Sequence, residues 1–169
     1  MKQISVKSLS AIILAFIFLN FSIKITNTDF SGKWKLNESK SELGDFGARL
    51  AAKGITIIQN DNSITVAKEV TTFNGDNVTR TETLTFDGKE VETSMGFGNS
   101  KRKASAKWSA DGKELVITYT LYFDFNGQSN EIPGKETYTK SDDGKTFSLK
   151  TESSSPQGDI SIIAVYDKQ

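Results

Sequence analysis

The run Glu114–Phe125 (ELVITYTLYFDF) constrains the fold of this chain more than any other segment. Leu115, Ile117, Tyr119, Leu121, Phe123 and Phe125 fall on one side of an extended strand, and Val116, Thr118, Thr120, Tyr122 and Asp124 on the other. A period of two sustained over the whole run suits a β-strand and not a helix, whose period is 3.6. Residues 78–86 (VTRTETLTF) repeat it, with Thr79, Thr81, Thr83 and Thr85 on one face. Threonine is β-branched and tolerates water, so that face is expected to point outward. Similar runs begin near Phe30, Gly54, Ser63, Lys89, Arg102, Glu136, Lys145 and Gly158.

Turn signals separate these runs: Asn60-Asp61-Asn62, Asn74-Gly75-Asp76, Asp87-Gly88, Asp111-Gly112, Asn126-Gly127, Asp143-Gly144 and Gln157-Gly158. Asn-Gly and Asp-Gly pairs supply the positive φ angles of tight hairpin turns. Short strands joined by tight turns read as an antiparallel meander, which packs as a sandwich or closes on itself. Closure removes exposed edges, and up-and-down connectivity favours it. The expected fold is therefore all-β: an antiparallel up-and-down barrel of about 8–10 strands. One segment breaks the pattern. Residues 37–53 (NESKSELGDFGARLAAK) carry a capping-box arrangement at Ser39 and Glu42, with apolar Leu43, Phe46 and Leu50 at spacings of three and four. Gly44 and Gly47 weaken that helix by about 1 kcal/mol each. One short helix or a broken pair is expected after the first strand, lying across an opening of the sheet or filling a core gap.

A chain of 169 residues suffices for one domain that buries roughly 70% of its extended-chain surface. Lys2 and Lys7 precede an apolar stretch, residues 9–19 (LSAIILAFIFL), of signal-peptide length and too short to span a bilayer. Residues 1–24 thus read as a signal peptide, cut between about residues 20 and 28, or kept as an N-terminal anchor. Residues 29–169 form the barrel domain. Export through such a leader points to a secreted or periplasmic protein, with no stable membrane insertion once the leader is gone. The leader holds three of the 21 basic residues and no acid, so 18 basic face 21 acidic groups in the remainder. That balance carries no footprint for nucleic acid. Lys101-Arg102-Lys103 with Lys107 and Trp108 is the one basic cluster. Alternation puts Arg102, Ala104, Ala106 and Trp108 on one face and Lys103, Ser105 and Lys107 on the other, so it reads as a solvated lysine face. Asp124 to Glu131 lacks calcium-loop spacing, and Asn126-Gly127 reads as a turn.

There is no histidine and no cysteine. The commonest general base and the best nucleophile are missing, and neither a disulfide nor a His or Cys zinc site can be built. No phosphate loop, dinucleotide fingerprint or nucleophile elbow occurs. The expectation is a monomeric, non-catalytic protein without metal or cofactor.

The segment Phe30-Ser31-Gly32-Lys33-Trp34-Lys35-Leu36 resembles the Gly-x-Trp start of the calycins, the lipocalins and fatty-acid-binding proteins. Ile163-Ala164-Val165-Tyr166-Asp167-Lys168 is similar to the last strand of the fatty-acid-binding group. With the leader, the resemblance implies a secreted lipocalin-like protein holding a small apolar or amphipathic ligand inside its barrel. It implies that Gly32 lets the first strand bend and that Trp34 plugs the barrel base. Lipocalins often stack an arginine of the last strand over that tryptophan, and residues 159–167 contain none. The fatty-acid-binding pattern holds a ligand carboxylate with Arg-x-Tyr. Here Tyr166 takes the tyrosine place and Ala164 the arginine place, and no arginine stands near Tyr138 or Thr139. An ordinary fatty-acid carrier is therefore not expected.

Candidate ligand contacts are Arg80, Tyr119, Phe123, Tyr138 and Tyr166. The tyrosines either orient a ligand or bond to backbone. The long apolar face from residue 115 to 125 either walls a cavity or is plain core. Arg80 shares the face of Val78, Glu82, Leu84 and Phe86, where a charge must be compensated. It either pairs with Glu82 at the barrel rim or anchors a ligand anion. The alternative to a carrier is a structural or protein-interaction module with a side-chain-filled barrel.

Overall fold

The computed structural model describes residues 26–72, 74–96, 99–125, 127–155 and 158–169, without the side chains of Asp45, Phe46 and Phe125. The leader of residues 1–24 lies outside them, as do Asn126 and Gln157 of two expected turns. Ten strands form one antiparallel sheet. In chain order they are β1 (Gly32–Leu36), β2 (Gly54–Gln59), β3 (Ser63–Thr71), β4 (Asn77–Thr85), β5 (Val91–Ser94), β6 (Lys101–Trp108), β7 (Glu114–Phe125), β8 (Gln128–Lys140), β9 (Thr146–Ser155) and β10 (Gly158–Lys168). Each pairs with its sequence neighbours except at two places. β1 pairs with β10, which rolls the sheet up, and β4 and β5 form the two unjoined edges. The result is a nearly closed up-and-down barrel with a seam between β4 and β5.

Turn chemistry fixes one end of the barrel. Asp87, Asp111 and Asp143 each stand before a glycine and a lysine, and each carboxylate accepts a bond from the backbone N–H of that lysine, at 3.1, 3.1 and 3.0 Å. The hydroxyl two residues earlier, on Thr85, Ser109 or Ser141, donates to the same carboxylate. Asn60 caps the β2–β3 turn in the same way, through Asn62 and Ser63. Local side-chain acceptors thus stand in for ladder bonds where the chain reverses.

This end is the base of the barrel, and it is filled. Phe30, Trp34, Phe147, Tyr138 and Tyr166 are all at most 2% exposed. Phe147 lies at their centre, edge-on to Trp34 at 4.9 Å and stacked with Tyr166 at 4.9 Å. Ile55, Ile57, Ile64, Val66, Leu84, Leu115 and Ile117 complete the packing. The N-terminal arm closes it from below: Gln59 accepts from Phe30 N and donates to Thr28 O, and Thr28 N donates to Gly112 O. Trp34 does sit at the base, its indole N–H bonded to Phe30 O at 2.9 Å. Gly32 takes φ of 138°, a backbone state that L side chains rarely adopt.

Two sequence expectations need correction. The strand expected from Glu136 begins at Gln128. Pro133 and Gly134 argue against a strand in isolation, but β9 pairs with β8 only as far as Gly134, so Pro133 occupies a stretch bonded to β7 alone. The insert after β1 is a broken pair, as the two glycines suggest: a 3-10 turn at Glu38–Lys40 and a short helix α1 (Gly44–Leu50). The capping box does not form. Asn37 caps the first turn by accepting from Lys40 N, Ser39 donates to Asn37, and Leu43 precedes α1 with no side-chain cap. Leu43 packs on the core, whereas Leu50 is 51% exposed, because so short a helix ends on its solvent side. Between the turns, Glu42 exchanges backbone bonds with Ile163 of β10, which carries α1 to the end opposite the base. Among the described residues no helix is long and apolar enough to cross a membrane.

Candidate functional site

Alternation along the strands sends one row of side chains inward, and halfway up the barrel that row becomes charged. Val66 of β3 is followed inward by Lys68; Leu84 of β4 is preceded by Glu82; Ala104 of β6 is preceded by Arg102; Tyr138 of β8 is preceded by Glu136. Register brings them together. Glu82 lies opposite Val66 and Arg80 opposite Lys68, while Glu136 lies opposite Ile117 of β7.

The four groups form one chain of ion pairs. Lys68 Nζ reaches both Glu136 oxygens at 2.7 Å. Tyr138 donates its hydroxyl to Glu136 at 3.2 Å. Arg102 Nη1 donates to Glu82, and Nη2 stands 3.5 Å from Glu136. The pair Glu82–Arg102 spans the seam, from β4 to β6 past the edge strand β5. The Arg102 guanidinium lies 4.3 Å from the centroid of the Tyr119 ring. The same ring lies against Gly134, where a Cβ would meet Tyr119 Cζ at 2.3 Å. Only glycine leaves room there.

Burial and pairing divide the acids. Burial alone would raise the Glu136 carboxyl, but Arg102 and Lys68, with the bonds from Lys68 and Tyr138, bring it down to about 2. For Glu82 burial dominates and raises its pKa, since Arg102 is its main compensation. Burial also pushes the Tyr119 phenol up to about 12, and those of Tyr138 and Tyr166 higher. These phenols are neutral donors at any ordinary pH.

Above this layer the inward side chains are only half-buried. They include Val70, Arg80, Leu121, Phe123, Ile132 and Ile160. Helix α1 stands at this end, with Gly47 against Ile162. The mouth therefore has an apolar wall, a charged floor and access for solvent. Two surface concavities of about 440 Å³ each lie outside it. One is lined by polar groups around Asn37 and Asp167, and the other by residues near Asp29 and Asn60 at the base.

The residues proposed from sequence separate between the two halves. Arg80, Tyr119 and Phe123 stand in or facing the mouth. Tyr138 and Tyr166 are wholly buried in the base; Tyr166 donates to Ala52 O at 3.0 Å and Tyr138 to Glu136. Glu82, half of the expected rim pair with Arg80, bonds to Arg102. Arg102, read from sequence as part of a solvated basic cluster, is 8% exposed and inside the barrel. Its parity with Ala104 and Ala106 was the signal; the flanking lysines, which face outward over Tyr122, obscured it. Lys68 and Glu136 were missed for the same reason, since single charges on apolar faces read as faults in the pattern. The arginine missing from the last strand has a substitute, for Lys168 places its ammonium 5.5 Å from the Trp34 ring.

No protein-family model matches the chain, and no curated protein matches its sequence. A solved structure does. The crystal structure of zebrafish ileal bile acid-binding protein complexed with cholic acid aligns with a TM-score of 0.51 at 19% identity. The match covers 83% of this chain and 98% of the zebrafish protein. The order of ten strands, the single unjoined seam and the helix between the first two strands make this the calycin fold, in the form that fatty-acid-binding proteins take.

Proposed function

We propose that this chain is an exported, lipocalin-like binding protein that holds a small apolar or amphipathic molecule in the mouth half of its barrel. The observation that carries the reading is the division of the interior. The base is packed to exclusion by aromatic rings, whereas the mouth combines half-buried apolar side chains with a few convergent polar groups. That combination is what small-molecule sites share. The likeness to a barrel solved with cholic acid supports it at the level of fold. The apolar leader supports export to a secreted or periplasmic location, followed by action as a monomer. No step in this role asks for a nucleophile or a base, so the protein carries rather than converts its ligand.

Native mass spectrometry of the protein purified from its source tests the reading. A co-purifying mass of lipid size is expected, together with a mature N-terminus between about residues 20 and 28. A second reading, a structural or interaction module, is favoured by the filled base and by the placement of the two concavities on the outer surface. A ligand-free mass in every preparation, with no uptake of an apolar dye, would decide for it.

A further inference from the structure

We infer that the mouth is built for a monoanionic head group, gripped on two prongs by Arg102. The inference rests on the mouth being a ligand site and narrows what occupies it. Arg102 is more than nine-tenths buried, and its guanidinium is only partly used. Nη1 is taken by Glu82, and the flat face is covered by Tyr119. Nε and Nη2 are buried and have no hydrogen-bond partner, the approach of Nη2 to Glu136 being too long for one. These two nitrogens are neighbours on one edge of a planar group, and their N–H bonds run parallel. That edge fits two oxygens of a carboxylate, sulfate or sulfonate. Donors of a buried cation are costly to leave unmade, so an oxyanion at this edge is stabilised by satisfying them.

Neighbouring charges set the ligand's own charge. Glu82 and Glu136 already flank the guanidinium, so a second negative charge on the head group would be held against two carboxylates in a poorly solvated space. A monoanion gains the fork, a dianion loses much of that gain, and a neutral head gains nothing from it. The grip also lies on β6, four strands around the sheet from Ala164, which takes the arginine place of the fatty-acid-binding pattern. The head group would therefore face the β4–β5 seam.

Isothermal titration with decanoate, decanol and decyl phosphate tests this at about pH 8, where the phosphate carries close to two charges. Decanoate is expected to bind roughly tenfold or more tightly than decanol, and more tightly than decyl phosphate. Arg102→Lys keeps the charge beside Glu82 but removes the fork; it should erase the advantage of decanoate over decanol. In the wild-type protein, which needs no variant to fold, the Arg102 Nε–H resonance should shift with decanoate and not with decanol. Equal affinity for decanoate and decanol, or an unmoved Nε–H resonance, overturns the anion grip and leaves the binding reading standing. Failure of both decanoate and decanol to bind overturns both.

Discussion

Glu136 and Glu82 face the same guanidinium but differ in what holds them. Glu136 has Lys68, Arg102 and the Tyr138 hydroxyl; Glu82 has Arg102. Removing the charge of Glu136 leaves the half-buried Lys68 without its carboxylate and the buried Arg102 with Glu82 alone, so Glu136→Gln should cost about 3 kcal/mol in urea unfolding. Glu82→Gln should cost less, since its ionised form is already disfavoured by burial. The pH dependence has a definite sign. The folded-state pKa of Glu136, about 2, lies below its unfolded value near 4.5, so its stabilisation is present above about 4.5 and is lost as pH falls toward 2. Glu82, raised on folding, acts oppositely: the folded state takes up a proton first, and stability rises as pH falls through its folded pKa. Glu82→Gln should remove that rise and leave the acid loss intact, as unfolding curves at several pH values would show. At Gly134, an added methyl meets the Tyr119 ring, so Gly134→Ala should lose about 1–3 kcal/mol although alanine suits strands better. Of this layer only Glu82 was read from the sequence as chemistry, as a partner for Arg80. Parity put Arg102 on the face of Ala104 and Ala106, and Glu82 on that of Leu84, but which charge meets which depends on register across β3, β4, β6 and β8, and no local pattern encodes it.

At the scale of elements, legibility followed locality. Threonine and apolar faces alternate within single strands, and Asp-Gly turns are made by side chains two residues away, so both could be read directly. The start of β8 could not, because Pro133 is tolerated only where β9 no longer pairs with β8, a fact about a third strand. Nor could the failure of the Ser39–Glu42 capping box, since Glu42 is drawn into bridging Ile163 of β10 and the chain there cannot begin a helix. The end of β10 returns to β1 in a way that suits measurement. Lys168 over Trp34 is a partly exposed cation–π contact, and Lys168→Met should cost about 0.5–1 kcal/mol. Trp34→Ala removes a base-filling ring and should cost about 3–5 kcal/mol. The contrast, by denaturant unfolding, separates what plugs the barrel from what merely steadies the plug.

Over the whole molecule, one sheet does two jobs by changing its lining along the strand direction. Toward the base, aromatic rings stack against one another and leave no room; toward the mouth, the lining is half-exposed, and the charged layer divides the two. The Glu82–Arg102 pair also crosses the seam where β4 and β5 share no ladder, so the floor of the mouth helps to hold the barrel shut. The central claim, a small amphipathic molecule held in the mouth, is tested most directly by following the backbone and side-chain resonances of the protein during titration with decanoate. The account predicts saturable shifts at Arg102, Tyr119, Phe123 and Ile160, with Trp34, Tyr138 and Tyr166 unmoved. Shifts confined to the outer surface, or none at any concentration below micelle formation, would contradict it.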